Sequence, residues 1–144
     1  MSALPFFDTN VVLYAFTPSG DKTLTAERIL LLGGVISVQV LNELTSVACT
    51  KFKMSWSEVK RVILGTTMMC PNPSALTYET FLQAQRISER YGFSIWDGSI
   101  VASALDAGCT TLYTEDLQHG QMVEGLRIEN PFRPPHAQSL IPSP

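Results

Sequence analysis

The sequence has few of the residues that build disulfide frameworks or zinc sites. Its 144 residues contain three cysteines, Cys49, Cys70 and Cys109, and two histidines. The cysteines lie far apart, no C-x-x-C pair occurs, and the histidines lack metal-ligand spacing. These features argue against a disulfide scaffold and a zinc centre. An odd number of scattered cysteines is typical of a reducing compartment, so we expect a cytoplasmic protein.

Long apolar segments are also missing. No run approaches the ~20 apolar residues that a membrane-spanning helix needs. The N-terminus, MSALPFFDTN, has neither the basic region nor the apolar core of a secretory signal. We therefore expect no membrane partner.

Positive charge is scarce. The chain has 10 Lys and Arg residues against 13 Asp and Glu, which gives a formal net charge of −3. A protein that holds nucleic acid mainly through its overall charge is disfavoured. An enzyme that brings metal ions to a phosphodiester is compatible with this charge, because the metals supply the positive charge themselves.

The composition predicts one folded domain. Hydrophobic residues make up 45% of the chain and charged residues 16%, which is far from the composition of a disordered chain. We assign residues 1–132 to the domain. Five of the nine prolines lie at or after position 131, so residues 133–144 are predicted to form an extended tail, either frayed or binding a partner.

Short apolar runs alternate with segments of helical periodicity. Strands are predicted at 4–7, 35–37, 68–70, 110–113 and 126–128. Helices are predicted at 11–16, 23–32, 38–52, 77–91 and 95–107, and a capping box at Ser55–Glu58 begins a further helix. This alternation predicts an α/β fold, with a parallel sheet of four to five strands and helices on both faces.

Two acidic residues directly follow predicted strands. Asp8 ends the first strand, and Asp116 follows the strand at 110–113. Ligands of open α/β sheets bind beyond the carboxyl ends of the strands, so both carboxylates are expected at the ligand edge. Helix capping or turn formation is the alternative role for each of them.

Two further acidic residues lie on predicted helices. On a helical wheel Asp97 falls among Ile100, Val101 and Ala104, which places it on the inward face, whereas Ser103 and Asp106 face away. A buried carboxylate is costly unless it is paired or bound to metal. An S-x-x-D cap beginning at Ser94 explains where Asp97 lies but not its direction. Glu43 only flanks the apolar stripe of its helix.

The four acids matter most as a set. Carboxylates ~5 Å apart repel each other by about 3 kcal/mol per pair at an effective dielectric of 20. No Lys or Arg lies in FFDTN, VLNEL, IWDGS or TEDL. A cluster of this kind must be protonated or neutralised by cations. Oxygen ligands favour Mg²⁺ or Mn²⁺, and two such ions promote in-line phosphoryl displacement.

The segments FFDTNVVLYAF, SVQVLNELTSV, FSIWDGSIVASAL and LYTEDLQHG resemble the PIN-domain family, and within it the VapC ribonuclease toxins of toxin–antitoxin systems. The resemblance spans residues 4–132. It implies a Mg²⁺- or Mn²⁺-dependent endoribonuclease, usually a homodimer, with RNA as substrate and an antitoxin as partner. The family's acidic quartet, which serves as catalytic and metal-binding set, falls on Asp8, Glu43, Asp97 and Asp116.

Two polar residues and one neighbouring acid complete this comparison. Asn10 and Thr114 match positions that support the site in relatives. Glu115 alternates to the opposite side of an extended segment, so it is left out of the site.

Three other functions compete with this interpretation. A phosphate-receiver domain needs a lysine late in the chain, but the last lysine is Lys60. A haloacid-dehalogenase-like phosphatase begins with D-x-D, and here Asn10 replaces the second acid. The third is a non-catalytic PIN-fold module that only binds RNA or protein.

Surface roles are predicted for one basic and one apolar group of residues. Lys51, Lys53, Lys60 and Arg61 surround Trp56 and are candidate RNA contacts, the alternative being a solvated face with Trp56 in the core or a dimer contact. The same region is rich in large apolar groups, which favours a homodimer. These groups are Trp56, Val59, Ile63, Met68 and Met69.

Overall fold

A computed structural model describes residues 3–134 as six helices and four short strands. The strands are β1 (Phe6–Phe7), β2 (Thr111–Tyr113), β3 (Met122–Val123) and β4 (Leu126–Glu129). The helices are α1 (Thr9–Phe16), α2 (Asp21–Leu30), α3 (Val38–Thr50), α4 (Trp56–Met69), α5 (Tyr78–Tyr91) and α6 (Ile95–Asp106). No helix in this range is long and apolar enough to span a membrane.

The strands form one sheet in the order β1-β2-β4-β3. β2 pairs in parallel with β1 and β4, and its central residue Leu112 lies opposite Phe6 on one side and Ile128 on the other. β3 pairs antiparallel with β4 at the edge. The six helices flank this sheet, so the predicted α/β class is confirmed, with one antiparallel edge strand.

The core forms where the sheet meets the helices. Phe6 and Phe7 are fully buried although β1 is only two residues long. The other large buried side chains come from β2, β4, the extended segment at 35–37 and α1, α2, α3 and α5; they are Leu112, Leu126, Ile128, Ile36, Val11, Val12, Leu30, Val40, Leu44 and Ile87. β1 is therefore held between layers, and the residue after it is fixed in position.

Two predicted strands are not strands in the structure. The segment at 35–37 is extended, but it makes only isolated bridges, Phe6 with Val35 and Ser37 with Ser74. The prediction of a strand at 68–70 is wrong, because α4 continues to Met69 and the Cys70 amide donates a hydrogen bond to the Thr66 carbonyl at 2.8 Å. An apolar run of three residues carries no periodicity that separates a strand from a helix end.

The helix ends follow the predicted capping chemistry more closely. The Ser55 hydroxyl accepts a bond from the Glu58 amide, and the Glu58 carboxylate accepts one from the Ser55 amide. Gly108, just after α6, has φ +74°, as a C-terminal cap requires. β3 was not predicted; it pairs with β4 through a turn in which Glu124 and Gly125 both have positive φ.

The predicted domain boundary at residue 132 stays a prediction. Phe132 packs on the core, and Arg133 and Pro134 are exposed. The rest of the predicted extended tail, residues 135–144, lies outside the described residues. The three cysteines are free thiols, as expected from their spacing.

A glycine sets the contact between α5 and α6. A Cβ at Gly98 would lie 2.8 Å from the Ala84 carbonyl oxygen and would clash with the Ser88 hydroxyl. Gly98 directly follows Asp97, so this close approach also fixes the first turn of α6, from which the Asp97 carboxylate projects.

We predict that Gly98→Ala lowers the free energy of unfolding by about 1–3 kcal/mol, because the added methyl overpacks the α5–α6 contact. The control is Ser103→Ala on the same helix. The Ser103 hydroxyl is buried with no hydrogen-bond partner among residues 3–134, so its removal is expected to be neutral or stabilising. Urea unfolding measures both. Equal effects of the two variants would contradict the close approach.

Candidate functional site

Two of the predicted site residues emerge at one edge of the sheet. Asp8 follows β1 and is the N-cap of α1. Asp116 lies three residues beyond β2, which is the parallel neighbour of β1. Glu43 lies in the second turn of α3, and Asp97 lies in the first turn of α6.

Asp8 is buried without a cation. It is 5% exposed, and none of the ion pairs formed within residues 3–134 involves it. The Thr114 hydroxyl donates to its Oδ2 at 2.7 Å, and the Thr9 amide donates to its Oδ1 at 2.7 Å. Burial raises the pKa of Asp8 to about 7, the two hydrogen bonds oppose this rise, and the charges of Asp116 and Glu43 add to it.

Asn10 and Thr114 join Asp8 to Asp116. The side-chain amide of Asn10 donates through Nδ2 to Asp116 Oδ2 at 3.0 Å and to the Thr114 hydroxyl at 3.4 Å. The Thr114 hydroxyl also accepts from the Asp116 amide at 3.1 Å. Both residues therefore contact the acids they were predicted to support.

Glu43 is held by two residues that sequence reasoning did not select. The Thr9 hydroxyl donates to Glu43 Oε1 at 3.0 Å, and Gln39 Nε2 donates to the same oxygen at 3.3 Å. Gln39 also donates to the Trp96 carbonyl at 3.2 Å, which connects α3 to α6. The available signals were weak: Thr9 lies inside the D-T-N motif, and Gln39 lies one turn before Glu43.

Asp97 lies at the start of α6 and is half-buried. Its amide donates to the Ser94 hydroxyl at 3.1 Å, so the predicted cap is present. Burial raises the pKa of the Asp97 carboxyl, the charge of Asp116 raises it further, and the Ser94 contact lowers it. Asp97 is thus linked to the other acids through charge.

The helical-wheel prediction for α6 is correct on one side only. Ile100, Val101 and Ala104 are buried as expected, and Asp106 is exposed. Ser103, predicted to face away from the core, is only 1% exposed. The reason is that α6 contacts α5 as well as β2 and β4, so it is covered on most of its circumference.

Glu115 points away from the cluster, as its alternation predicted. Its carboxylate forms an ion pair with Lys22 at 2.9 Å and contacts the Tyr14 hydroxyl. Its backbone amide donates to Asn10 Oδ1 at 3.4 Å. Glu115 therefore anchors the loop that carries Asp116.

The acids are coupled but do not form a preassembled metal cage. Within residues 3–134, no three His, Cys, Asp or Glu residues are grouped closely enough to hold a metal ion. Mg²⁺ keeps several of its waters and commonly takes one or two carboxylates from a protein. The site offers carboxylate oxygens, and burial has raised the pKa values of two of these acids, Asp8 and Asp97. No cationic side chain of the described residues neutralises this set, so it fits a hydrated divalent metal ion.

The predicted basic surface is exposed and begins beyond the C-terminal end of α3. Its four cations are exposed, and Lys51, the C-cap of α3, comes eight residues after Glu43, about 12 Å along a helix axis. Trp56 is 66% exposed, so it is not a core residue. The remaining members are Lys53, Lys60 and Arg61.

Comparisons with known proteins agree with this fold. A family model described as PIN domain matches residues 6–124. The search of curated proteins finds no match. A toxin–antitoxin complex from Klebsiella pneumoniae contains a similar chain at 19% identity and a TM-score of 0.69, with 91% of this chain and 98% of that chain covered.

Two further structures are similar. One is VapC20 of Mycobacterium tuberculosis, described as a sarcin–ricin loop cleaving toxin, at 16% identity and a TM-score of 0.64, covering 78% of this chain and 91% of that one. The other is VapBC2 from Rickettsia felis bound to a DNA fragment from its promoter, at 18% identity and a TM-score of 0.62, covering 88% of this chain and 97% of that one. At these identities the likeness concerns the fold.

We predict that Asp8→Asn stabilises the metal-free protein at high pH. The pKa of Asp8 is raised on folding, so the folded state keeps a proton that the unfolded state loses, and stability falls as pH rises from about 4 to about 7. The cost above pH 7 is up to about 4 kcal/mol. Asparagine caps helices as well as aspartate does, so the cap is retained.

Urea unfolding in EDTA at pH 8 and at pH 4 measures this effect. Asp8→Asn should raise the free energy of unfolding at pH 8 and change it by less than about 1 kcal/mol at pH 4. The same change at both pH values would show that the buried charge is not its cause.

Proposed function

Because the chain belongs to the PIN domain family, we propose that it is a metal-dependent endoribonuclease that hydrolyses RNA phosphodiester bonds beside Asp8 and Asp116. One observation carries the proposal. Asp8 is buried with no compensating cation in the described chain, and Thr114 and Asn10 join it to Asp116. A group with a raised pKa at a ligand edge is typical of a functional site rather than of a stabilising one.

Asp8, Glu43, Asp97 and Asp116 are the residues that would hold Mg²⁺ or Mn²⁺. When bound, such a cation supplies Lewis acidity at a phosphoryl oxygen and lowers the pKa of water. Thr9 and Thr114 fix the Asp8 carboxylate, and Thr9 and Gln39 fix Glu43 Oε1. With a pKa of about 7, Asp8 is about half protonated at neutral pH in the metal-free protein, and this proton must leave when a cation binds.

Two of the three cysteines and one histidine are unsuited to forming a covalent intermediate. Burial raises the pKa of Cys70 and of Cys109 to about 11, so both thiols stay protonated and unreactive. His119 Nδ1 accepts a bond from the Asn130 amide at 3.0 Å, which ties it to the loop before the C-terminal segment. The proposal therefore rests on the carboxylates alone.

We also propose that the protein is the toxin of a toxin–antitoxin pair and acts in the cytoplasm. Two of the similar structures are described as toxin–antitoxin assemblies, and one is described as a sarcin–ricin loop cleaving toxin. A cognate antitoxin is the partner that this likeness supports. An acidic cluster that Asp116 exposes to solvent is a suitable target for its arginine side chains, because a guanidinium forks onto carboxylate oxygens.

A non-catalytic PIN-fold module is the second candidate. The observation that favours it is the absence, within residues 3–134, of a preassembled group of metal ligands. Such a module would bind RNA or a protein at the same edge and leave it intact.

We expect the purified protein to cleave single-stranded RNA in Mn²⁺ or Mg²⁺ and to stop when EDTA is added. Asp97→Asn should lower the cleavage rate by at least about tenfold, because it removes a charged carboxylate that would help to hold the metal ion near Asp116. Asp106→Asn is the matched control. It lies on the same helix, is exposed, and accepts a bond from the Thr80 hydroxyl that asparagine can also accept.

Cleavage that survives EDTA would contradict the metal dependence. Full activity in Asp97→Asn would contradict its place in the site. RNA that binds the wild-type protein and stays intact in both metals would favour the binding module.

We place the proposed homodimer on an apolar face made by α5 and α6. Tyr78 is 69% and Trp96 66% exposed there. In the region first predicted to form the dimer, Val59 is buried, whereas Trp56 and Met68 are exposed, so that placement stays an alternative. This α5–α6 face surrounds a cavity of about 580 Å³ beside Glu43, and large exposed apolar surfaces mark interfaces. Its members are Leu76, Tyr78, Phe81, Ile95 and Trp96.

We predict that Tyr78→Glu converts the dimer to a monomer, because it places a charge in the apolar contact. Trp56→Glu, on the exposed surface of α4, should leave the dimer intact. Light scattering at micromolar concentration distinguishes about 32 kDa from the 15.8 kDa of one chain. A wild-type protein of one-chain mass would refute the dimer, and dissociation by Trp56→Glu alone would move it to α4.

A further inference from the structure

A second groove, of about 410 Å³, lies between α2 and residues 131–134. Lys22 and Arg28 line it from α2, and Phe132 and Arg133 line it from the other side. We propose that this groove binds the RNA strand next to the scissile phosphodiester and that Arg28 and Arg133 hold its phosphates. This inference rests on the proposed ribonuclease function.

The groove is basic in an acidic chain. Lys22 and Arg28 both line the groove from α2, and Arg133 lines it from the C-terminal segment. Asp21 is the one acidic residue in the lining. The lining thus carries three positive charges against one negative, although the whole chain has a net charge of −3.

Arg28 and Arg133 are available to a ligand. Neither forms an ion pair within residues 3–134, whereas Arg86 is paired with Glu124 and Arg127 with Glu129. Both are exposed. A guanidinium presents two parallel N–H groups to a phosphate, which makes arginine the preferred residue for this contact.

The groove is connected to the acidic site through Lys22. Lys22 Nζ contacts Glu115 Oε2 at 2.9 Å and lies 4.7 Å from the ring centre of Tyr14 and 5.8 Å from that of Phe132. Glu115 is the residue before Asp116. One wall of the groove therefore ends at the loop that carries Asp116, on the side of that loop facing away from the other acids, and the Lys22–Glu115 ion pair holds that wall in place.

The substrate needs such a surface. Four carboxylates repel a phosphodiester, and the net charge of the chain supplies no general attraction. Phosphates on either side of the cleaved bond must be held by local cations. The groove supplies them at the side of the Asp116 loop that Glu115 faces, whereas Lys51 lies beyond the far end of α3 from Glu43.

RNA binding by the groove can be measured by fluorescence anisotropy with a labelled 12-nucleotide single-stranded RNA. EDTA is added to prevent cleavage. We expect Arg28→Ala/Arg133→Ala to raise Kd at least about tenfold at 100 mM salt. The slope of log K against log salt should fall by about 1.4, because each phosphate contact with a single strand contributes about 0.7. Arg28→Lys/Arg133→Lys keeps the charges and should keep the slope.

Arg86→Ala/Arg90→Ala is the charge-matched control. It also lowers the net charge from −3 to −5, but on α5, and it should change Kd by less than about twofold because salt screens distant charges. Circular dichroism should show wild-type melting for the groove variant, since Arg28 and Arg133 hold no other residue by an ion pair.

The outcomes separate the groove from the ribonuclease. If Arg28→Ala/Arg133→Ala binds RNA with wild-type affinity, the proposed role of the groove is wrong. It is also wrong if RNA affinity is lost only in Lys60→Ala/Arg61→Ala. In either case RNA cleavage by the wild-type protein in Mn²⁺ would leave the proposed function standing. A wild-type protein that neither binds nor cleaves RNA would overturn both.

Discussion

The arrangement of this site depends on one buried carboxylate without a cation. Phe6 and Phe7 are fully buried in the sheet, and α1 begins at Thr9, so the chain carries Asp8 directly from the core into a helix cap. Two hydrogen bonds to the carboxylate offset part of the cost of burial and do not remove it, since the pKa still rises to about 7. Keeping such a group ionised costs folding stability, a trade-off that functional sites commonly show.

The residues that donate hydrogen bonds to Asp8 also connect it to the other acids. Thr114 reaches Asp8 because β1 and β2 are parallel neighbours, and the same hydroxyl accepts from the Asp116 amide. Thr9, the residue after Asp8, reaches Glu43 on α3. The acids from the strand ends and from α3 thus belong to one hydrogen-bonded network, and charge alone couples Asp97 to it.

Residues with local signals were predictable, and residues defined by packing were not. The caps at Ser55 and Ser94 and the acids after β1 and β2 follow from short motifs. The burial of Ser103 depends on how α5 covers α6, and a helical wheel contains no information about a second neighbour. Gln39 is similar, because its contact with the Trp96 carbonyl joins two helices that are 57 residues apart in sequence.

The basic groove shows the same limit more strongly. Arg28 and Arg133 are separated by most of the chain, and neither lies in a motif. The cations that are close in sequence, around Trp56, are exposed, and Lys51 among them lies beyond the C-terminal end of α3. Charge clustering along a sequence detects surfaces built from one hairpin, whereas a groove between α2 and the C-terminal segment requires the fold.

Calorimetric titration of Mn²⁺ into the wild-type protein and into Asp8→Asn, at pH 6 and pH 8, tests the central claim most directly. Asp8 must lose its proton to bind a cation, and its pKa is about 7, so the wild-type affinity should rise about tenfold between these pH values. Asp8→Asn should bind weakly, with no such rise. Mn²⁺ affinity that is equal in the two proteins, or equal at both pH values, would contradict the account.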